Sequence, residues 1–413
     1  MRHHLVNIPI TANDSSCNGP LSGVRVADFS VHAAGPFAGL MLAEMGAQVI
    51  KIESSARLDI TRRTHTMYGK PPSSFEQINA NKMSACLNLK EPQAIELALK
   101  LVSVSDLVLE NFRPGVMDRL GIGYTSLINV KPDIILVSLS SNGQTGPESN
   151  YAGYAPMFAA LGGLGHLTGY PDGPPVELRH GMDHTGGMLA AFASLAGLCA
   201  KTGSSLGQHI DVSVRDMGAS FIGPALLDYA MNQRNRTRIG NRDDSSAPQG
   251  VYRCLGEDNW VAISVSSDDE WQSMVHAMGY PDWATTSQFG DGFKRWKNHD
   301  KLDLLIEKWT SGIEASQVSD SLQQLGVAAS VSLSPKQVLQ NHHLLEREAF
   351  PIIVDKDKGQ QKAVSPPWKF SKTVAAIDKW TPELGENNIE VFNGLLGLEI
   401  PEIEKLEKHQ VIW

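Results

Sequence analysis

Short apolar runs alternate with amphipathic segments through the first half of the chain. Runs of this length are typical of buried strands, and they occur at 23–30 (GVRVADFS), 48–53 (QVIKIE), 84–89 (SACLNL), 106–111 (DLVLEN), 133–140 (DIILVSLS) and 208–214 (QHIDVSV). Between them, residues 36–47 begin with a proline and, like residues 91–105, carry apolar side chains at helical spacing. This alternation predicts an α/β fold with a parallel sheet wrapped by helices.

The pattern changes in the second half. An Ala- and Gly-rich run, 184–203, predicts a helix that begins near His184 and packs closely against a neighbour. Residues 251–265 predict a hairpin around Glu257 and Asp258, and 268–279 and 301–312 predict two helices. We therefore expect a tail (1–20), a large Rossmann-like domain (21–230), a polar linker (231–250), a small α+β domain (251–334) and a C-terminal segment (335–413) that returns to the large domain.

Composition and charge limit the kinds of partner and the cellular compartment expected for this chain. The chain has 413 residues and a formal net charge of −9, which argues against nucleic acid or an anionic membrane surface as a general partner. The four cysteines, Cys17, Cys86, Cys199 and Cys254, form no CxxC pair, so a reducing cytoplasm is expected. No apolar stretch approaches the roughly 18 residues of a membrane span.

Common cofactor motifs are missing from the sequence. A doubly wound sheet suggests a nucleotide site, yet the first strand is followed by SVHAAGP, with Gly35 the single glycine before the helix. No GxxxxGK[ST] loop occurs either. We therefore expect no nicotinamide or flavin cofactor.

The stretch VELRHGMDHTGGMLAA (176–191) sets Asp183 between His180 and His184. Two histidines four residues apart would share a helix face, but the glutamate of HExxH and a third ligand are missing, so no metal is expected. Asp183 stands where a helix N-cap is expected, and such a cap contributes about 1 kcal/mol. An ionised carboxylate there is equally suited to act as a nucleophile toward an activated acyl group, and the residues alone leave both interpretations open.

Basic residues follow two predicted strands. Lys90 ends CLNLK, and Arg113 and Arg119 lie in LENFRPGVMDRLG. Basic side chains at the carboxyl ends of strands suit phosphate groups, although solvated surface charges have the same appearance.

Taken together, the motifs resemble the class III CoA-transferase family (EC 2.8.3.-), which includes formyl-CoA transferase, carnitine CoA-transferase and alpha-methylacyl-CoA racemase. The resemblance covers nearly the whole chain after Pro20, and its segments are PLSGVRVADFSVHAAGPFAGLMLAEMGAQVIKIE, NANKMSACLNLK, DLVLENFRPGVMDRLGIGY, SSNGQTGP, GMDHTGGMLAAFASLAGLCAKTGSSLGQHIDVSV and SAPQGVYRC. It implies an interlocked homodimer. It also implies that Asp183 attacks an acyl-CoA donor, forms a mixed anhydride and then an aspartyl-CoA thioester, and passes CoA to a small carboxylic acid acceptor.

The resemblance further implies which residues contact coenzyme A, which is a substrate in the form of acyl-CoA. Backbone amides of Gly186 and Gly187 would help to hold the oxyanion. The implied CoA contacts are Ala33, Ala34, Leu87, Asn88, Lys90, Asn111, Phe112, Arg113 and Arg119, with Tyr154 near the thioester.

The sequence also departs from branches of the family. Formyl-CoA transferases have glutamine at the position of Ala33, arginine at that of Ser54, and a glycine-rich loop before SAPQGVYRC that this chain lacks. The racemases place a histidine and an aspartate at the positions of Tyr154 and Ala155, so two-sided proton transfer is not expected. The alternatives are an acyl-CoA racemase or epimerase of the same superfamily and a CoA-binding protein without catalysis.

Overall fold

A six-stranded parallel sheet organises most of the chain. The computed structural model describes residues 19–63, 74–355 and 359–413, so most of the expected tail, including Cys17, lies outside the described residues. The strands of the sheet are β1 (Arg25–Asp28), β2 (Gln48–Glu53), β3 (Met83–Cys86), β4 (Leu107–Glu110), β5 (Ile135–Ser140) and β6 (Gln208–Ser213). Their order is β3-β2-β1-β4-β5-β6, which is the order of a Rossmann sheet, and the predicted α/β fold is confirmed.

Helices connect and cover these strands. They are α1 (Ala34–Glu44), α2 (Ile60–Arg63), α3 (Ser74–Ile78), α4 (Pro92–Ser103), α5 (Val116–Arg119), α6 (Tyr124–Val130), α7 (Ala155–Leu161), α8 (Leu164–Leu167), α9 (Arg179–Ser204), α10 (Val214–Phe221) and α11 (Gly223–Asn232). Short 3-10 turns occupy Ser55–Arg57, Asp282–Thr285 and Ser287–Phe289.

The two faces of the sheet bury different cores. On one face, Leu107, Ile135 and Val137 pack in one cluster with residues of α1 and α9, which explains why the strands have apolar residues on both sides. On the other face, Val108 and Leu136 pack with residues of α4 and with the C-terminal residues Phe392 and Ile412. The sheet is therefore covered on both faces, as a parallel sheet requires.

The chain divides into two compact units. The first contains the parallel sheet, and the second comprises 166–176 and 228–344. The second unit has the antiparallel sheet β7 (Gln249–Arg253), β8 (Trp260–Ser264) and β9 (Ala328–Val331), and the helices α12 (Asp268–Ala277), α13 (Gly292–Lys297), α14 (His299–Thr310) and α15 (Ala315–Gln324). The predicted hairpin around Asp258 is confirmed, since β7 pairs antiparallel with β8. The domain boundaries expected from the sequence remain a prediction.

The remaining elements follow in the C-terminal part. They are α16 (Pro335–Gln340), α17 (His342–Glu346), the hairpin β10 (Ile352–Asp355) and β11 (Gly359–Lys362), a π-helix (Glu390–Leu395) and α18 (Ile400–Lys408). In the described part of the chain, no helix is long and apolar enough to cross a membrane.

Candidate active site

The loops that follow β1 and β4 meet at the carboxyl edge of the sheet. The Asn111 side chain donates a hydrogen bond to the Val31 carbonyl (2.8 Å) and accepts one from the Val31 amide (2.7 Å). β1 and β4 are neighbours whose chain connections lead to opposite sides of the sheet, and ligands of doubly wound sheets bind in the crevice at that point. The structure thus brings Ala33, Ala34 and Asn111, three of the predicted CoA contacts, to the same crevice.

A buried ion pair supports the loop after β1 from below. The Lys82 ammonium lies 3.0 Å from a carboxylate oxygen of Asp28 and donates to the Pro36 carbonyl (2.8 Å) and to Asn79 Oδ1 (2.9 Å). Burial lowers the pKa of Lys82 to about 8, against the opposing effect of Asp28. Because one ammonium joins the end of β1 to the first turn of α1, it holds the backbone between them.

A second carboxylate holds the same loop from the side. Asp59 accepts a hydrogen bond from the His32 amide (3.0 Å) and lies 3.7 Å from the Lys51 ammonium, which also donates to the Ser30 carbonyl (2.7 Å). Burial alone would raise the pKa of Asp59, but Lys51 and the hydrogen bonds from Thr61 and His32 outweigh burial and lower it. Residues 30–32 therefore have their backbone fixed by side chains from three other segments.

Helix α9 begins earlier than the sequence predicts, so Asp183 is not its N-cap. The helix starts at Arg179 with Leu178 in the capping position, and Asp183 lies in its second turn, half-buried. The additional turn inserts Met182 (1% exposed) into the core beside Phe158 and Met217, and this burial favours helix over the expected turn. The cap interpretation of Asp183 is therefore wrong.

The face of α9 that carries Asp183 packs against the start of α1. A Cβ atom on Gly187 would lie 2.6 Å from the Ala34 carbonyl oxygen, so only glycine allows this close approach. Asp183 is one helical turn before Gly187 and shares its face. On the next residue, the His184 ring contacts Phe37 edge to face, with centroids 4.6 Å apart. The tertiary structure thus joins Asp183 to the crevice that contains Ala33 and Ala34.

The expected oxyanion contribution of Gly186 and Gly187 does not fit this helix. Both residues are inside α9 and not in a turn, and interior helix amides are engaged by the carbonyl groups four residues earlier. The prediction was wrong because the helix starts before Asp183 and not after it. The side chain of His180 lies outside the described atoms.

Tyr154 approaches the same crevice from another direction. It precedes α7, whose Ala155 and Phe158 share a core cluster with Met182, and its own side chain is 66% exposed. The Tyr154 ring meets the His32 ring edge to face, with centroids 6.2 Å apart. The starts of α1 and α7 therefore flank the turn of α9 that carries Asp183.

The predicted contacts after β3 have structural partners of their own. The Leu87 side chain is buried in the core, and its amide donates to the Glu53 carbonyl (2.9 Å). The Asn88 amide donates to the Val411 carbonyl (2.9 Å), which holds the end of the chain, and Lys90 is exposed. β3 is two strands from β1, so this group lies about 10 Å from the crevice.

The remaining predicted contacts surround the end of β4. The Phe112 amide donates to a Glu110 carboxylate oxygen (2.6 Å), and its ring packs against the core. Arg113 and Arg119 are exposed on either side of Gly115. Both guanidinium groups are therefore accessible at the edge where a phosphate is expected.

A small cavity at β4–β6 was not foreseen from the sequence. It has a volume of about 110 Å3, and its lining includes Arg113, Glu110, Ser138, Tyr124 and His209. Glu110 is 3% exposed, and burial raises its pKa to about 7, although hydrogen bonds from Ser138 and from a backbone amide act in the opposite direction. The one signal in the sequence was a glutamate that continues an apolar strand, LVLE.

His209 lines the same cavity and is exposed. Its Nε2 lies 2.9 Å from Ser138 Oγ, and its ring stacks on Tyr124 with centroids 5.5 Å apart. Partial burial lowers the pKa of His209, against the nearby carboxylates of Asp211 and Asp118. Within the described residues, no group of three or more His, Cys, Asp or Glu side chains is arranged to hold a metal ion.

Comparison with known proteins identifies the family. Residues 21–388 match CoA-transferase family III. The chain belongs to CoA-transferase family III. It is 32% identical to the succinyl-CoA–D-citramalate CoA-transferase of Chloroflexus aurantiacus over 95% of this chain and 98% of that protein. It is 34% identical to the acetyl-CoA:oxalate CoA-transferase of Acetobacter aceti over 75% of this chain and 79% of that protein.

Solved structures agree with the family assignment. A CaiB/BaiF family protein from Brucella suis superimposes with a TM-score of 0.83 at 26% identity, covering 92% of this chain and 100% of that one. The resemblance deduced from the sequence motifs is confirmed, and the chain is a transferase of family III whose homologues use CoA thioesters as substrates.

Proposed function

We propose that this transferase moves CoA from an acyl-CoA donor to a small carboxylic acid and that Asp183 carries the group covalently. The observation that supports this most directly is the contact between Gly187 and the Ala34 carbonyl, which brings the Asp183 face of α9 to the crevice at the carboxyl edge of the sheet. Ligands of doubly wound sheets bind in that crevice. A half-buried carboxylate beside it can approach a bound thioester.

The reaction proceeds by four acyl exchanges. The Asp183 carboxylate attacks the thioester carbonyl of the donor, the C–S bond breaks, and CoA thiolate leaves a mixed anhydride on Asp183. The thiolate then attacks the Asp183 carbonyl carbon, which releases the donor acid and forms an aspartyl-CoA thioester. The acceptor carboxylate displaces the thiolate to form a second anhydride, and the thiolate attacks its acyl carbon to give the new acyl-CoA and regenerate the Asp183 carboxylate. Each step exchanges activated acyl groups, so the sequence balances without ATP.

Coenzyme A would lie along the carboxyl edge of the sheet. Ala33 is the N-cap of α1 and makes no side-chain cap, so backbone amides at that helix start can face the pyrophosphate. The exposed guanidinium groups of Arg113 and Arg119 and the ammonium of Lys90 suit the nucleotide phosphates. Tyr154, at the start of α7, would lie near the thioester.

The acids are proposed to be small and dicarboxylic. The two named relatives above transfer CoA between succinate and D-citramalate and between acetate and oxalate, according to their names. Three of these four acids have two carboxylates. This chain would act on the same class of compound.

A racemase is the second candidate among related enzymes. A racemase needs acid–base groups on two sides of the alpha carbon. Where the racemases have a histidine and an aspartate that provide one of these groups, this chain has Tyr154 and the buried Ala155. Neither side chain is a histidine or a carboxylate. CoA transfer is therefore the better-supported activity, and a CoA-binding protein without catalysis would leave Asp183 without a role.

A homodimer in the cytoplasm completes the proposal. Helices of the first unit expose several large apolar side chains, and monomeric proteins rarely expose large apolar patches. The exposed residues are Met157, Leu161, Met188, Phe192, Phe221, Leu226 and Leu227. A second copy of the chain would cover them. Cys86, Cys199 and Cys254 are free thiols, as a reducing compartment favours.

The decisive experiment replaces the nucleophile. We expect Asp183→Asn to lower the rate of CoA transfer by about 10³-fold or more, since removing a covalent nucleophile removes the pathway. Incubation of wild type with acyl-CoA followed by hydroxylamine or borohydride should modify Asp183, as mapped by mass spectrometry. Asp216→Asn is the matched control, because Asp216 is an exposed aspartate in the first turn of α10. Transfer that survives in Asp183→Asn, with deamidation excluded, would refute the assignment.

A further inference from the structure

His32 has a backbone conformation that a histidine seldom adopts. Its φ is +65°, in the left-handed region that favours glycine, where the Cβ atom of any other residue crowds the backbone. The loop does not need this side chain. The hydrogen bonds that hold it come from Asn111 and Asp59, and they engage backbone atoms of Val31 and His32. A glycine at position 32 would keep all of these bonds and relieve the strain.

The imidazole is directed toward Tyr154. The two rings meet edge to face at 6.2 Å, and His32 is half-buried. Neither ring nitrogen of His32 bonds to any residue that the structure describes. An imidazole always has at least one N–H group to donate, so the ring offers a donor to a ligand.

The pair of rings lies beside the turn of α9 that carries Asp183. His32 precedes α1, whose Ala34 carbonyl meets Gly187, and Tyr154 precedes α7, whose Phe158 clusters with Met182. A thioester carbonyl positioned for attack by Asp183 has its CoA sulfur on one side and its acyl chain on the other. The acyl chain needs a partner only where it ends in a polar group.

We propose that His32 determines substrate specificity by donating a hydrogen bond from its imidazole to the second carboxylate of a dicarboxylic acyl group. The inference rests on the proposed function, in which Asp183 attacks the thioester. A donor beside Tyr154 gives a dicarboxylic acid a bond that a monocarboxylic acid of equal length cannot make. The strain at position 32 is then the cost of placing that donor.

The test compares two acyl-CoA thioesters with four-carbon acyl groups. Succinyl-CoA ends in a carboxylate and butyryl-CoA in a methyl group. We expect His32→Gly to lower kcat/KM for succinyl-CoA by about 10- to 100-fold, because the variant loses a hydrogen bond to a charged group. The kcat/KM for butyryl-CoA should change by less than about threefold. His32→Asn keeps a side-chain N–H donor and tolerates the left-handed backbone, so it should recover part of the preference.

Two controls separate this role from a structural one. Gln233→Gly makes the same change at another left-handed residue (φ +55°), exposed and in the second unit, and should leave the ratio of the two substrates unchanged. His32→Gly should unfold at the same or higher denaturant concentration than wild type because strain is removed.

Binding measured without turnover distinguishes this inference from the proposed function. In an Asp183→Asn background, calorimetry should show that His32→Gly weakens the binding of succinyl-CoA by about 10- to 100-fold and leaves the binding of butyryl-CoA unchanged. Equal weakening of both thioesters would mean that His32 contacts CoA itself and would overturn the proposal, as would no weakening of either. If His32→Gly abolishes exchange of the alpha proton with deuterium from solvent, His32 is a base and the proposal is also wrong. Transfer that persists in Asp183→Asn refutes the nucleophile but leaves the discrimination by His32 testable.

Discussion

Charged groups have different partners in the two halves of the carboxyl edge of the sheet. On the side of β1, β2 and β3, two buried ammonium groups and one half-buried guanidinium of the described residues have carboxylate partners: Lys82 with Asp28, Lys51 with Asp59, and Arg62 with Glu53. On the side of β4, β5 and β6, Glu110 is buried with hydrogen bonds from Ser138 and a backbone amide, and the charges that most affect its pKa are the carboxylates of Asp211 and Asp118.

The difference shows two uses of buried polar groups. Paired charges with satisfied hydrogen bonds fix a backbone, and here they fix the loop that carries His32 and Ala33. A buried carboxylate without such a partner keeps a pKa near neutrality and responds to pH. One half of the edge therefore holds the crevice in one shape, and the other half contains a group that titrates.

The largest effect should follow from breaking the buried pair. Lys82→Met leaves the Asp28 carboxylate buried and without its ammonium, and we expect the free energy of unfolding to fall by about 3–5 kcal/mol. Denaturation by urea measures this change. Adding Asp28→Asn removes the stranded charge and should recover part of the loss. A double variant less stable than Lys82→Met alone would contradict the role of the pair.

A smaller, pH-dependent effect is expected at Glu110. The unfolded chain deprotonates this carboxyl near its ordinary pKa of 4.5, and the folded protein does so near 7. Its stabilising contribution is therefore complete below pH 4.5 and is lost as the pH rises through 7, a change of about 3 kcal/mol. Glu110→Gln should lack this pH dependence, so the difference in free energy of unfolding between the two proteins should change with pH between about 4.5 and 7, as measured by urea denaturation at several pH values. Parallel pH profiles for both would contradict the buried, titrating carboxyl.

The smallest effect concerns the hydroxyl between Glu110 and His209. Ser138 donates to Glu110 and lowers its pKa, so Ser138→Ala should move the titration of Glu110 to higher pH by less than about one unit. The variant loses the hydrogen bonds of this hydroxyl with Glu110 and with His209, and each should cost about 1 kcal/mol. Carboxyl chemical shifts followed by NMR during titration measure the midpoint. A midpoint that falls would show that the hydroxyl does not favour the ionised form.

Much of the fold was predictable from the sequence. Five of the six strands of the parallel sheet lie within the apolar runs of the sequence, and β3 begins at Met83, one residue before its run, because buried parallel strands are apolar on both faces and stand out in the pattern. The hairpin around Asp258 was predictable for a similar reason, since two runs with β-branched and aromatic residues flank a short polar turn. The start of α9 was not, because Met182 extends the helix only when a core is present to bury it.

The features of the candidate site also fall into those that the sequence indicated and those that it did not. Sequence motifs indicated the family, and with it Asp183, the two arginines and the absence of the usual nucleotide loops. They did not indicate Glu110 or the conformation of His32, since a raised pKa depends on burial and a left-handed φ depends on bonds from Asn111 and Asp59, residues distant in the chain.

By itself the sequence determined the alternation of strands and helices and the residue types available for chemistry, because both are recorded locally in hydrophobic spacing and side-chain identity. Only the tertiary structure decided which of those residues meet. Gly187 lies against Ala34 although more than 150 residues separate them, and that contact depends on a glycine that lets two helices approach until a Cβ atom would no longer fit. Proximity of this kind is a property of packing, and local pattern does not contain it.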